Sequence, residues 1–284
     1  MPVGFIGLGS LGMAMARRLR ETGVELIVWN RTQAKAKALG GEVAGSAAEV
    51  ASRADVIFLN LFDSVAVREV LTGECGVLQG IGEGKIVVDT TTNHFQAVPE
   101  FYELCGERGV HYVEAPVLGS VVPASQGKLT ILISGVPSAY EAAKPYLAKL
   151  GEKLFYLEEP TLATRMKLVN NLVLGSLMAT LAEAVVLGEE CGLGREQVLD
   201  VLGAGAGNTG VLAAKRGKLT AEDFSPHFAV RAIYKDLQLV QELAKSMKRR
   251  AVAAGAAKEL FGLAEEQGMG EEDFSAVYKV LRKK

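Results

Sequence analysis

Short apolar runs alternate with amphipathic stretches through the first half of the chain. Val3–Ile6, Glu25–Trp29, Asp55–Leu61, Lys85–Asp89, Val110–Glu114 and Leu129–Ser134 read as strands. Asp55–Leu61 is apolar almost throughout, as a strand buried on both faces should be. Ser10–Thr22, a segment from about Gln33, Val65–Leu71, Gln96–Arg108 and Ala139–Leu150 read as helices. Strands alternating with helices imply a mainly parallel sheet with right-handed crossovers. The pattern changes near Pro160. Beyond it no segment reads convincingly as a strand, and Leu162–Cys191 reads as one helix, ~30 residues and ~45 Å long. Arg195–Leu202, Val230–Lys248 and Val252–Gln267 read as further helices. The long helix is apolar nearly all round, so it belongs inside a helical domain or in a subunit interface, which predicts a homo-oligomer, a dimer or tetramer.

Composition narrows the class. Of 284 residues, 49% are apolar and 23% charged, as in a soluble globular protein, and the net charge of −2 gives no reason to expect a nucleic-acid partner. Arg282, Lys283 and Lys284 form a short basic tail that reads as a solvated end. Cys75, Cys105 and Cys191 are odd in number and far apart, without zinc-ligand spacing; buried thiols in a reducing compartment are expected. His94, His111 and His227 are isolated, so no metal centre is expected. The start lacks a basic n-region, and Gly4, Gly7, Gly9 and Gly12 interrupt any signal-like run. No uninterrupted apolar run reaches the ~20 residues needed to span a bilayer. The expectation is a cytoplasmic protein with no membrane partner.

Gly7-Leu8-Gly9-Ser10-Leu11-Gly12 follows an apolar strand and opens a helix. GxGxxG in that setting is a dinucleotide-binding turn: Gly7 permits the turn, Gly9 lets a pyrophosphate approach the backbone, and Gly12 lets the helix lie close on the sheet. Free N–H groups at the helix start then face the diphosphate. The fold class that follows is α/β: a Rossmann-type, mostly parallel sheet domain over residues 1–160, then an all-α domain over 161–284. Strand two ends in Asn30-Arg31-Thr32, with no carboxylate for a ribose 2′-OH. Arg31 is suited to a 2′-phosphate, with Asn30 and Thr32 as possible donors, so NADP is expected over NAD; alternatively Arg31 merely opens a surface helix.

Lys167 lies near the start of the long apolar helix, with Asn171 four residues on and on the same face. A lysine in apolar surroundings can exchange a proton near neutrality, protonating a carbonyl oxygen as hydride reaches carbon. Spacing alone leaves open a lysine whose stem packs while its amine reaches water.

Gly7–Gly12, Glu114–Gly135 (EAPVLGSVVPASQGKLTILISG) and Met166–Asn171 (MKLVNN) together resemble the β-hydroxyacid dehydrogenase family, over essentially the whole chain. Glu114-Ala115-Pro116, Pro123-Ala124, Tyr234-Lys235-Asp236-Leu237 and Asp273–Val277 are similar to its glyoxylate/succinic semialdehyde reductase branch. The resemblance implies that Lys167 is the acid/base and that Asn171 orients lysine and substrate. It places Leu61, Phe62, Thr92 and Lys235 at the cofactor, and Val117–Ser120, Asp236 and Phe228 at the substrate. Leu118, Gly119 and Ser120 would hold a small carboxylate. On the residues alone, Thr90–Thr92 could cap a following helix, Lys235-Asp236 could be a solvated pair, and Phe228 could be core.

The chain departs from the family in two places. Leu118 stands where a serine hydroxyl would bind the carboxylate, and Thr161-Leu162-Ala163 stands where a GxG is common. The implied activity is NADPH-dependent reduction of glyoxylate or succinic semialdehyde. The alternatives are oxidation of 3-hydroxyisobutyrate or a related β-hydroxyacid with NAD(P), and an inert dinucleotide-binding oligomerisation module like the family's nuclear cytokine-like factor, which has lost the lysine. Imine reductases of this architecture typically replace that lysine as well.

Overall fold

The structure is a computed structural model that describes residues 2–282; Lys283 and Lys284 of the basic tail lie outside the described residues. The chain divides into two compact units between Lys167 and Leu168.

The first unit carries β1 (Val3–Ile6), α1 (Ser10–Glu21), β2 (Leu26–Trp29), α2 (Gln33–Leu39), β3 (Glu42–Val43), α3 (Ala47–Arg53), β4 (Val56–Leu59), α4 (Ser64–Thr72), α5 (Val77–Gly80), β5 (Ile86–Asp89), α6 (Val98–Gly106) and β6 (His111–Glu114). The strands form one parallel sheet in the order β3-β2-β1-β4-β5-β6. The two-residue period of a strand sends alternate side chains to opposite faces. Phe5, Val28, Phe58 and Val88 therefore meet Met15 and Leu19 of α1 on one side. Ile6, Ile27, Ile57 and Val87 meet Val50, Val67, Leu71 and Phe101 on the other. Both faces are buried, so these strands have no polar face to show in sequence.

Next come β7 (Val117–Leu118), α7 (Val121–Gln126), β8 (Leu129–Ile133), α8 (Pro137–Leu150) and β9 (Gly151–Tyr156). They build a second, three-stranded sheet, β7-β8-β9, with β7 antiparallel to β8. A single bridge, Glu114 to Ser134, joins its chain to the end of β6.

Helix α9 (Leu162–Glu190) starts in the first unit and continues into the second. The second unit then has α10 (Arg195–Ala204), α11 (Gly210–Ala221), α12 (Val230–Ser246), α13 (Val252–Glu266), a 3₁₀ turn at Phe274–Ala276 and α14 (Val277–Arg282). It holds no strand among the described residues. Phe261 and Phe228 pack on Phe274, and Arg195 ties α10 to Glu189, Glu222 and the Tyr278 hydroxyl.

One expectation needs correction. Only Cys105 is buried, with its thiol pushed up to about 12 by burial; Cys75 and Cys191 are exposed, because they fall in surface turns. By length and composition alone α9 is apolar enough to cross a membrane, although a core helix passes the same test. Polar residues scattered along it interrupt every apolar run while leaving its average apolar. Leu162, Met166, Val169 and Val173, spaced three or four apart on α9, are exposed.

Candidate functional site

The glycine loop lies at the carboxyl end of β1, beside β4, where the strand order reverses. That is where doubly wound sheets bind ligands. Gly7 has φ +97, and a methyl added to it would come within 2.2 Å of the Asn60 carbonyl oxygen. A methyl on Gly12 would come within 2.1 Å of the Gly7 carbonyl oxygen. The chain's own packing therefore demands both glycines. Gly9 differs: its φ is −66, and a methyl there meets nothing within 4 Å. Nothing in the chain explains its bareness, whereas a diphosphate resting on the turn does. The N–H groups of Gly9, Ser10, Leu11 and Gly12 reach no acceptor among the described residues, and α1 has no side-chain N-cap. Unpaired donors at the positive end of a helix suit a dinucleotide pyrophosphate, so these residues fit the group.

Asn30 ties the end of β2 to this loop. Its Oδ1 accepts from the Leu8 N–H at 2.8 Å and its Nδ2 donates to the Thr32 carbonyl at 3.0 Å. Both polar ends thus have partners within the chain. Arg31 and Thr32 are exposed, and Arg31 has no ion pair among the described residues.

Beside them, the ends of β4 and β5 are stitched together. Asn60 Nδ2 donates to Thr90 Oγ1 at 2.8 Å, Thr90 Oγ1 donates to the Leu59 carbonyl at 2.6 Å, and the Leu61 N–H donates to Thr91 Oγ1 at 3.0 Å. Thr90 and Thr91 brace the strand ends rather than cap a helix; α6 begins only at Val98. Thr92 and Leu61 are half-buried and Phe62 is exposed. The brace rests on Asp89, fully buried, which accepts from the Thr91 N–H at 2.8 Å, Asn93 Nδ2 at 2.7 Å and the Tyr112 hydroxyl at 2.6 Å. Burial raises the Asp89 carboxyl above its ordinary value, against the pull of those donors.

Lys167 is buried at 6% exposure, and its Nζ donates to the Val117 carbonyl at 2.9 Å. Val117 opens the segment Leu118-Gly119-Ser120. Leu118 is half-buried on β7. Gly119 has φ +122, and the N–H groups of Gly119 and Ser120 reach no acceptor among the described residues. The Lys167 ammonium thus rests against one short strand whose following turn carries backbone donors without acceptors among the described residues.

In the second unit, Asn171 is fully buried and donates through Nδ2 to Asp236 Oδ2 at 2.6 Å. Asp236 is 1% exposed, with its Oδ1 3.1 Å from Lys235 Nζ, so this pair is no solvated surface pair. Phe228 is half-buried, edge-on to Phe274 with ring centroids 5.7 Å apart. Its loop is held by buried Asp273, which accepts from Lys215 Nζ at 2.8 Å and from the His227 and Phe228 N–H groups. Burial raises the Asp273 carboxyl; the Lys215 ammonium and the Ser275 donors outweigh it, leaving the pKa below the usual value. Asn60, Asp89, Glu114 and Asp273 were given no role in the sequence reading. Each has a partner 23 to 58 positions away that no local spacing reveals.

Residues 2–158 match the NAD-binding domain of 6-phosphogluconate dehydrogenase, and residues 162–281 the NAD-binding family of NADP-dependent 3-hydroxyisobutyrate dehydrogenase. Glyoxylate/succinic semialdehyde reductase 1 of Arabidopsis thaliana is 34% identical over 285 residues, covering 99% of either chain. The human cytokine-like nuclear factor N-PAC is also 34% identical, over 98% of this chain but only 51% of its own length. A solved structure of Psf3 in complex with NADP+ and 2-OPP superposes with a TM-score of 0.91, at 28% identity over 98% of this chain and 99% of that one. The chain thus belongs to the β-hydroxyacid dehydrogenase family, oxidoreductases whose cofactor is a nicotinamide dinucleotide.

Proposed function

We propose that this protein reduces a small aldehyde acid of the glyoxylate or succinic semialdehyde class to the hydroxy acid, using NADPH, with Lys167 as general acid. The observation that carries this reading is the buried Lys167 ammonium on the Val117 carbonyl, at the head of a segment with unpaired backbone donors. NADPH, when bound, supplies the hydride. The chain's residues do the rest. The Lys167 Nζ gives a proton to the carbonyl oxygen as negative charge develops there, and takes it back in the oxidative direction. The N–H groups of Gly119 and Ser120 hold the substrate carboxylate, aimed dipoles being well suited to an anion. Asn171, its amide held by Asp236, is assigned to orienting substrate and lysine, and Asp236 and Phe228 to substrate binding.

The residues assigned to the dinucleotide are Gly7, Leu8, Gly9, Ser10, Leu11 and Gly12 at the diphosphate, Asn30, Arg31 and Thr32 at the adenosine end, and Leu61, Phe62, Thr92 and Lys235 nearer the nicotinamide. The exposed Arg31, without a carboxylate beside it, supports NADP over NAD. Residues 1–160 are assigned to cofactor binding and 161–284 to substrate binding and assembly. The exposed apolar stripe on α9 supports a homo-oligomer, which a solution mass measurement checks. Leu118 favours a second substrate reading. Its apolar side chain suits a larger β-hydroxyacid, such as 3-hydroxyisobutyrate, better than a hydroxyl would.

The test is a steady-state screen of glyoxylate, succinic semialdehyde, methylmalonate semialdehyde and 3-hydroxyisobutyrate with NADP(H) and NAD(H), repeated on Lys167→Ala. Turnover of an aldehyde acid with NADPH, lost in Lys167→Ala while dinucleotide still binds, is the expected result. Undiminished turnover in Lys167→Ala would sink the mechanism. Inactivity on all four substrates would point to the assembly module instead.

A further inference from the structure

Glu114, at the end of β6, is 1% exposed, and no step described so far uses it. Its carboxylate is surrounded by donors. Oε1 accepts from the Thr161 N–H at 2.6 Å and the Tyr102 hydroxyl at 3.1 Å. Oε2 accepts from the Thr164 N–H at 3.0 Å and the Thr164 hydroxyl at 2.5 Å. Thr161 immediately precedes α9, and Thr164 lies in its first turn. A helix start leaves N–H groups without partners and carries positive charge, and an anion there satisfies both needs. Here the anion comes from a strand 47 to 50 residues away in sequence. A second clamp acts on the same turn: Ser134 Oγ accepts from the Ala163 N–H at 3.0 Å.

Thr161 shows how closely this start is held. Its φ is +74, a left-handed conformation that is a true outlier for a β-branched residue. Such a conformation persists only where the surroundings over-determine it. The bond from Thr161 N–H to Glu114 does so. Lys167 follows Thr164 by three residues on this turn-and-a-half of helix, and its Nζ ends on the carbonyl of Val117, three residues beyond Glu114. One stretch of chain, Glu114 to Val117, therefore grips both the helix start and the lysine tip.

We infer that Glu114 is a positioning residue for the reaction: it fixes the first turn of α9 and so the place from which Lys167 delivers its proton. This rests on Lys167 being the acid/base. Burial pushes the Glu114 carboxyl upward, an opposing effect that the four donors counter. Glutamine in its place keeps the volume but turns an NH₂ group toward two donors.

The test compares Glu114→Gln, Glu114→Asp, Thr164→Val and Lys167→Ala on the full chain. Glu114→Gln should lower kcat roughly ten- to a hundredfold, the scale on which a displaced catalytic group acts. NADPH affinity, read by nucleotide fluorescence, should stay within about twofold, because the glycine loop is untouched. Glu114→Asp should recover part of kcat, and Thr164→Val should show a smaller loss. Hydrogen exchange at the Thr161 and Thr164 amides, measured without substrate, should quicken in Glu114→Gln. Native kcat and native exchange in folded Glu114→Gln would overturn the inference. If that variant does not fold, native kcat in Thr164→Val would do so. An inactive Lys167→Ala beside a fully active Glu114→Gln removes only the positioning role, whereas an active Lys167→Ala removes the acid/base reading itself.

Discussion

The glycine loop and the surroundings of Lys167 are built on opposite plans. The loop is local. Gly7, Gly9 and Gly12 lie within six residues, and the side-chain tie from Leu8 N–H to Asn30 reaches only to the end of the next strand. The lysine is placed by residues far off in sequence: Val117 at its tip, Glu114 and Ser134 at its helix start. A local motif can bind the same cofactor beneath many chemistries. A site assembled over long sequence separations changes whenever any of its distant members changes, and substrate choice can drift there while cofactor binding stays put.

The sharpest way to break this comparison is within the loop. Gly12→Ala should lower thermal stability, since its methyl meets a carbonyl oxygen at 2.1 Å; overpacking of this kind costs about 1–3 kcal/mol. Gly9→Ala should leave the melting temperature within a degree or two yet weaken NADPH binding about a hundredfold, close to 3 kcal/mol. Equal effects at the two positions, by calorimetry and nucleotide titration, would show that Gly9 serves the fold and not the ligand. Arg31→Ala should cut the preference for NADPH over NADH about tenfold, the value of one charge-assisted contact; an unchanged ratio of kcat/KM values removes Arg31 from the 2′-phosphate.

On the lysine side, Leu118→Ser should lower the KM for glyoxylate about tenfold, since a hydrogen bond to a charged group contributes about 1.5–3 kcal/mol, while the KM for NADPH stays put. A rise in glyoxylate KM would mean the leucine itself contacts substrate. The smallest effect concerns Asp89. Burial holds its pKa above 3.8. A carboxyl raised in the folded state contributes stability that is full below the unfolded pKa and lost as pH rises through the folded one. Asp89→Asn cannot ionise, so its melting temperature relative to the native chain should climb as the pH rises above about 4, the ordinary carboxyl value. A difference that does not change with pH would show Asp89 to be titrating normally.

The sequence was most readable where burial was symmetrical. Strands β1, β2, β4 and β5 are apolar runs because both of their faces are buried. β9 was invisible because it is half-exposed at the edge of its sheet, with Glu152 and Lys153 facing out. α7 hides behind Pro123. α3 did carry a signal: Ser46 accepts from the Glu49 N–H, the Ser-x-x-Glu spacing that opens helices. Among the site residues, Gly7–Gly12 announce themselves by spacing. Lys167 needed a family resemblance to stand out, since a lysine on an apolar helix has an ordinary structural explanation. Asn30 shows the limit of reading residue types: an amide at a strand end suggests a donor for the ligand, but not that it also ties the Leu8 N–H to the Thr32 carbonyl. Glu114 and Asp89 look in sequence like ordinary strand-end acids, and only the sheet order brings Tyr102, Tyr112 and the start of α9 to them.

The helix start at Thr161 also bears on how such proteins recombine. Two separate family matches meet at residues 158 and 162, so a crossover between related genes would fall most naturally in that gap. Such a crossover sends Lys167 with the helical part and leaves Glu114 and Val117 with the other. Chimeras assembled there should inherit cofactor binding intact from the amino-terminal parent. Their turnover would depend on whether the acid at position 114 and the hydroxyl at position 164 came from parents that had kept them matched.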